Sequence, residues 1–409
     1  MSSAPTLPTA LVLGVDTAIG LTVVRELGRH GVPVAAIGKS GHAIGRYSRF
    51  TRAFFVRPKD RPMAEWLPPV IRQTGAAVLL AIGEGDLLAL AELPDVIDGC
   101  QILTPRRDRL AIVLDKIRTL EAARAVGIDV PESWQPERGE DFAARAQTFL
   151  YPVILKWSDP PAMWTRLEQA GIAFEKVEHA RGPDELLAML ARYERLGAWP
   201  LVQSWCGGHG FGQMLMMADG KARLRFQHRR LREFPASGGV STLCATVPAG
   251  LHRDQMQKSE TLLAAIGWEG PAMVEYRHDP ATGCYWLMEI NGRFWGSLPL
   301  ASQSGACFAW EQYRAAVPLA GSKAQPPYRP RRARYTIPDS KRLVQVLRSP
   351  GRWWELVAYL IEFLNPRTGY YVWSWSDPMP LFGDLGAILS RHRRSEMPPS
   401  APESRFRSV

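Results

Sequence analysis

The sequence predicts a chain of mixed α/β and α+β class: an N-terminal open parallel α/β domain, a body of two further subdomains, and a helical extension rich in aromatic and basic residues. Three observations carry this. Residues 10–110 alternate short apolar strands with amphipathic helices. Residues 200–297 run instead as strands joined by turn chemistry, at Ala218-Asp-Gly-Lys221 and around Asp279-Pro280 and Thr282-Gly283. From Gly321 onward 15 Lys and Arg stand against 7 Asp and Glu, a net of +8 in a chain whose total is +10. With 409 residues and 46% apolar content, several cores are within reach.

In the first domain (1–110), Ala10 to Gly14 reads as a buried strand, and Ala18 to His30 as a helix with Leu21, Val24 and Leu27 inward. Val32 to Ile37, Ala76 to Ile82 and Gln101 to Thr104 supply further parallel strands. The loop from Gly14 to Gly20 has glycine only at the first and last positions of a dinucleotide fingerprint. Asp16 stands where a phosphate would approach, so a tight strand-to-helix turn is the reading taken.

Residues 111–200 form the next unit. Pro105 to Gly127 is a helical pair closed by Gly127 and Pro131. Tyr151 to Trp157 is a strand whose last polar residue is Lys156, either a snorkelling edge residue or a phosphate ligand. Helices are expected at Met163 to Gln169 and Pro183 to Glu194. The third unit, 201–325, contains the strand Pro200 to Trp205, the loop Cys206 to Gly212, and strands Gln213 to Met217 and Ala222 to His228. Arg229, Arg230 and Arg232 then precede a Ser-Gly-Gly turn, a solvated basic edge or an anion site. His252 to Ile266 is an amphipathic helix.

The hairpin Ala272 to Ser297 holds the most specific signal. Glu289 and Asn291 are two apart in a strand and share a face; Glu275 reaches that face if the hairpin pairs simply. Two carboxylates and an amide in an apolar setting suit Mg²⁺ that keeps substrate phosphates as further ligands. Arg293 lies two residues on.

Taken together, M-V-E275-Y, then M-E289-I-N291-G-R293-F-W-G, with Lys116, Lys156 in YPVILKW and the hinge-like LVQSW, resemble the ATP-grasp superfamily. Within it they are similar to the D-aspartate ligase-like carboligases, over about Leu11 to Ala320. The resemblance implies a two-subdomain ATP-grasp body and an enzyme that activates a carboxylate as an acyl phosphate and joins it to an amine. It implies ATP and Mg²⁺ (or Mn²⁺) as cofactors, with Glu275, Glu289 and Asn291 on the metal. Lys116 and Lys156 would lie on the phosphates or adenine, and the main chain of Gln203, Ser204 and Trp205 on the adenine edge. Arg293 and one of Arg229, Arg230 or Arg232, with Arg230 selected, would neutralise the transferred groups. Such chemistry needs positioning and charge more than a nucleophile. Two departures stand out: Ser158 to Trp164 has no glycine where the family covers the phosphates, and Ser204 replaces a common Glu. A carboxylate–thiol ligase and a nucleotide-binding regulator without turnover are the alternatives.

The five cysteines are scattered without a C-x-x-C, which fits a reducing, cytoplasmic compartment. No secretory signal or membrane span is expected. Because the positive excess sits in the tail, a nucleic-acid partner is not expected; small-molecule carboxylate and amine substrates are. In the extension (326–409), Pro326 to Arg334 reads as a linker, and Lys341 to Leu347 and Arg352 to Leu364 as helices. Tyr370 to Trp375 reads as an aromatic strand or loop and Arg391 to Arg394 as a basic run. This mixture suits packing onto the body or peripheral contact with a membrane's inner face or a partner.

Overall fold

Three sheets organise the chain in the computed structural model, which describes residues 7–175, 177–235, 239–317 and 325–386. The opening residues 1–6, the middle of the Ser-Gly-Gly turn (236–238) and the basic run Arg391–Arg394 lie outside the described residues. The first sheet is built from β1 (Ala10–Leu13), β2 (Val34–Gly38), β3 (Thr51–Val56), β4 (Val78–Ala81), β5 (Val96–Ile97) and β6 (Cys100–Ile102). Its order is β3-β2-β1-β4-β6-β5, parallel except for the β5–β6 edge. The fully buried β1, β2 and β4 explain why these segments read as continuous apolar runs; the half-exposed β3 lacks that signal and is an addition to the sequence reading. The Gly14–Gly20 loop is a turn: both Asp16 oxygens accept from the Lys39 N–H at 2.9 and 3.0 Å. A Cβ on Gly20 would stand 2.5 Å from the Gly14 carbonyl oxygen, so only glycine lets helix Ala18–Arg29 approach.

The second sheet contains β7 (Ser133–Trp134), β8 (Val153–Lys156), β9 (Glu178–Ala180) and β10 (Leu201–Ser204) in the order β7-β10-β8-β9, all antiparallel. Its small core gathers Trp134, Phe149, Trp157, Leu186 and Trp199. Since β10 pairs on both sides within this sheet, the division placed at 200/201 moves to after Ser204.

The third sheet takes β11 (His209–Ala218), β12 (Lys221–Phe234), β13 (Val240–Thr246), β14 (Gly270–His278), β15 (Tyr285–Asn291), β16 (Arg332–Arg334) and β17 (Thr368–Tyr370), ordered β15-β14-β11-β12-β13-β16-β17. One face buries Phe211, Leu215, Val274 and Tyr276 with Leu262 and Leu263 of helix Arg253–Ala265. The other buries Met214, Met216, Phe226 and Met273 with helices Leu298–Ser304 and Phe308–Ala316. Those two helices also pack on helix Ala18–Arg29, joining the first and third sheets.

The expected 326–334 linker is corrected here. Arg332–Arg334 is β16, hydrogen-bonded to β13 and β17, so the extension completes the third sheet. It also returns to the first domain, where buried Asp377 meets Arg25 at 2.9 Å and the Ser48 hydroxyl at 2.7 Å. Among the described residues no helix is long and apolar enough to cross a membrane.

Candidate active site

The β14–β15 hairpin pairs Glu275 directly with Glu289 and Met273 with Asn291. A register shift lies between Glu275 and Tyr276, where Tyr276 faces Leu287 and Met288 is the extra residue. This bulge decides where the carboxylates point. Leu287 and Ile290 are three apart, yet both enter the core under helix Arg253–Ala265. Strict alternation would send Glu289 the same way as Leu287; the extra residue turns it to the opposite face, beside Glu275. Asn291 Nδ2 donates to Glu289 Oε1 at 3.0 Å, so the amide and the carboxylate are in contact.

Next to Glu275 the sheet is floored by glycine. Gly212 lies opposite Glu275 on one side and His228 on the other. A Cβ at Gly212 would stand 2.8 Å from His228 Nε2, and one at Gly210 would stand 2.7 Å from Arg230 Cδ. The expected 206–212 loop is therefore shorter: His209–Gly212 is strand, and its glycines let Arg230 and His228 lie across it. Arg230 reaches Glu275 at 2.5 Å and Glu233 at 3.5 Å. Burial alone would lower its pKa, but Glu275, Glu233 and Glu289 hold it above the ordinary value. Arg232, in contrast, is committed to buried Asp339 at 3.1 Å and does not face the carboxylates. Of the three arginine candidates, Arg230 faces the carboxylate pair.

His228 escaped the sequence reading. It is 1% exposed, and among the described residues neither ring nitrogen has a partner. Burial, then the charge of Arg230, pushes its pKa down to about 3, so the ring is neutral. The alternation of glycines in H-G-F-G was the signal available for this open floor.

Lys156 ends β8 as expected. Burial and the nearby Lys116 lower its pKa to about 8, against the pull of Glu289 and Glu275, so the four charges share one neighbourhood. Lys116 is the first residue of helix Lys116–Ala125, capped by Asp115, and its N–H donates to the Ser158 carbonyl at 3.3 Å. Gln203 is fully buried and its side-chain amide donates to the Ser133 hydroxyl at 2.9 Å. The main chain of the next two residues is hydrogen-bonded within the protein. The Ser204 N–H donates to Glu132 O at 2.9 Å and the Trp205 N–H to Pro152 O at 3.3 Å. Both donors are taken up by carbonyls beside the small sheet, and the Trp205 ring is half exposed.

A cleft of about 450 Å³ opens at the end of β15. Glu289, Asn291, Arg293 and Lys116 line its polar side, and Trp164 and Phe174 its apolar side. Arg293 is 3.5 Å from Glu84, the first residue of helix Glu84–Leu90 in the first domain, a partner the sequence did not disclose. Where a glycine-rich phosphate cover was missing, the helix Pro160–Gln169 begins, three residues earlier than expected, with Asp159 accepting from the Ala162 N–H at 3.1 Å. Trp164 projects from it against Phe174, ring centroids 5.0 Å apart.

Two carboxylates and an amide form a hard-oxygen donor set of the kind that would suit Mg²⁺ carrying phosphates. Among the described residues no three His, Cys, Asp or Glu side chains gather to hold a metal, whereas two carboxylates and an amide leave sites for phosphate and water.

No family model matches the chain. Solved structures do. The biotin carboxylase domain of Hydrogenobacter thermophilus 2-oxoglutarate carboxylase, bound to MgADP, ADP and bicarbonate, is 16% identical with a TM-score of 0.57, covering 78% of this chain and 71% of that one. N5-carboxyaminoimidazole synthetase from Staphylococcus aureus is 13% identical with a TM-score of 0.58, covering 80% and 82%. L-amino acid ligase from Bacillus licheniformis is 15% identical with a TM-score of 0.53, covering 77% and 76%. Each likeness spans more than three quarters of this chain. What the chain shares with these proteins is the fold.

Proposed function

We propose that the protein is an ATP- and Mg²⁺-dependent ligase that activates a carboxylate as an acyl phosphate and joins it to an amine. The observation that carries this reading is the facing pair Glu275 and Glu289, with Asn291, sharing one neighbourhood with Lys156 and Lys116 across the hinge. The ADP, MgADP and amino acid ligase named for the structural neighbours accord with it. Glu289, Asn291 and Glu275 would hold Mg²⁺, which neutralises phosphate charge when bound. Lys156 and Lys116, beside the carboxylates, would hold the phosphate oxygens. Arg230, already against Glu275, would stabilise the anion that develops on the transferred group. In this reaction the substrate carboxylate oxygen bonds to the γ-phosphorus as the bond to ADP breaks. The amine nitrogen then bonds to the acyl carbon, releasing phosphate and one proton.

The test is ADP release against a matrix of carboxylates and amines. Turnover that Glu289→Gln abolishes supports the ligase. One observation favours a second reading, a nucleotide-binding regulator: a proline-led helix stands where a flexible phosphate cover is expected. Tight ATP binding without turnover on any pair would establish that reading instead.

A further inference from the structure

Helix Trp354–Ile361 is inside out. Its one buried residue is Glu355, and the turn that follows buries Glu362. The cause lies beneath it. Glu355 binds Arg342 at 3.0 Å, Glu362 binds Arg332 at 3.0 Å, and the Ala358 and Tyr359 carbonyls accept from Arg232 and Arg334 at 3.0 and 3.2 Å. Arg334 is wholly buried, between Asp339 and the rings of Tyr359 and Phe363. Cations at this depth require acceptors, so the polar side of the helix is drawn inward and the apolar side is left outside. Trp353, Trp354, Leu360, Ile361 and Leu364 stand 50–81% exposed, a density of large apolar side chains that marks an interaction site.

We propose that this face is a docking surface for an anionic lipid membrane. The charge around it selects that occupant. Between Ser340 and Ser376 the only acids are Glu355 and Glu362, both buried and paired. The cations Lys341, Arg348, Arg352 and Arg367 are exposed. In helix Thr336–Leu347, Lys341, exposed Val344 and Arg348 follow one another along a single ridge by helical spacing. An apolar face rimmed by cations, with tryptophans at its edge, inserts among acyl chains while its rim meets anionic headgroups. A second copy of the same face would set cation against cation. In sequence, residues 387–409 hold five arginines (Arg391, Arg393, Arg394, Arg405 and Arg407) and two acids (Glu396 and Glu403), a charge of the same sign as the rim. The surface stands independently of the ligase reading.

The test is flotation of the full chain with vesicles of phosphatidylcholine alone and of phosphatidylcholine mixed with phosphatidylglycerol. Binding is expected to the mixed vesicles only. The double substitution Leu360→Gln with Ile361→Gln should weaken it about ten-fold or more. Lys341→Gln and Arg348→Gln should each weaken it about five-fold, and high salt should mimic them. These four positions are solvent-facing, so thermal melts of the variants should match the native chain. Should the apolar variant melt early, the two charge variants keep the test decisive. No flotation overturns the proposal, as does equal binding to neutral vesicles. A dimer that Leu360→Gln with Ile361→Gln dissolves, without vesicle binding, overturns it in favour of a second copy.

Discussion

Replacing Arg230 by methionine separates metal binding from turnover. Methionine keeps an unbranched stem to lie over Gly210, so the charge is lost while most of the packing is kept. In the native site Arg230 is 2.5 Å from Glu275, with only 17% and 14% of the two side chains exposed. A pair at contact distance attracts by about 4 kcal/mol at an effective dielectric near 20, and desolvation cancels much of that. The net loss of stability should therefore be modest, about 1–3 kcal/mol. Its effect on the site should be opposite for the two ligands. Glu275, freed of its cation, binds a divalent ion as well as before or better. Under the proposed ligase reading the transferred group loses the Arg230 charge, and kcat should fall by about 10²–10³, the usual consequence of removing a preorganised donor at a developing charge. Initial rates of ADP release against Mg²⁺ concentration, at saturating ATP, distinguish these. A kcat within about two-fold of the native value would refute the assignment; so would a deficit that added Mg²⁺ restores.

Two further outcomes concern the frame around the site. Glu26 is buried against the first turn of helix Phe308–Ala316, where the Ala309 N–H donates to it at 2.8 Å, and burial raises its pKa from 4.5 to about 7. The folded chain holds this proton more tightly than the unfolded one between those values, so stability declines as pH rises from about 4.5 to 7 and the penalty is complete above 7. Glu26→Gln should gain on the native chain between pH 5 and pH 8, by at most about 3 kcal/mol in urea denaturation; an equal gap at both pH values would count against it. Asp339→Ala removes the carboxylate shared by Arg334 at 2.8 Å and Arg232 at 3.1 Å. It should cost about 3–5 kcal/mol, and Asp339→Leu combined with Arg334→Met should recover much of that loss. A cost below about 1 kcal/mol in the urea midpoint would mean that the extension is not the integral part of the sheet described above.

Much of the fold was legible because its signals are local. β1, β2 and β4 are buried on both faces and read as apolar runs. Helix Lys116–Ala125 has Asp115 at its cap, and β8 ends at the lysine that marked it. What escaped had weak local signals or distant partners. β7 and β9 are two and three residues long. β16 looks like a Pro/Arg linker in sequence and becomes a strand because β13 and β17 supply its hydrogen bonds. Helices Leu298–Ser304 and Phe308–Ala316 carry apolar residues between two domains, so no single amphipathic stripe announced them.

By itself the sequence determined the residue types of the site and their local spacing: Glu289 and Asn291 on one side of a strand, Lys156 at a strand end, arginines following the Ala222–His228 strand. Side-chain period and turn chemistry are properties of a few neighbouring residues, so they survive without the fold. Only the tertiary structure decided which of these meet. The Met288 bulge turns Glu289 out of the core toward Glu275, the glycines of β11 admit Arg230 and His228, and Asp339, more than a hundred residues away, claims Arg232. The same is true of the extension. Its composition left packing and membrane contact both open, and buried arginines settled its orientation by drawing the glutamates inward and leaving the tryptophans and leucines outside. Burial of charge is a nonlocal cost, and it is met by whichever partners the completed sheet brings near.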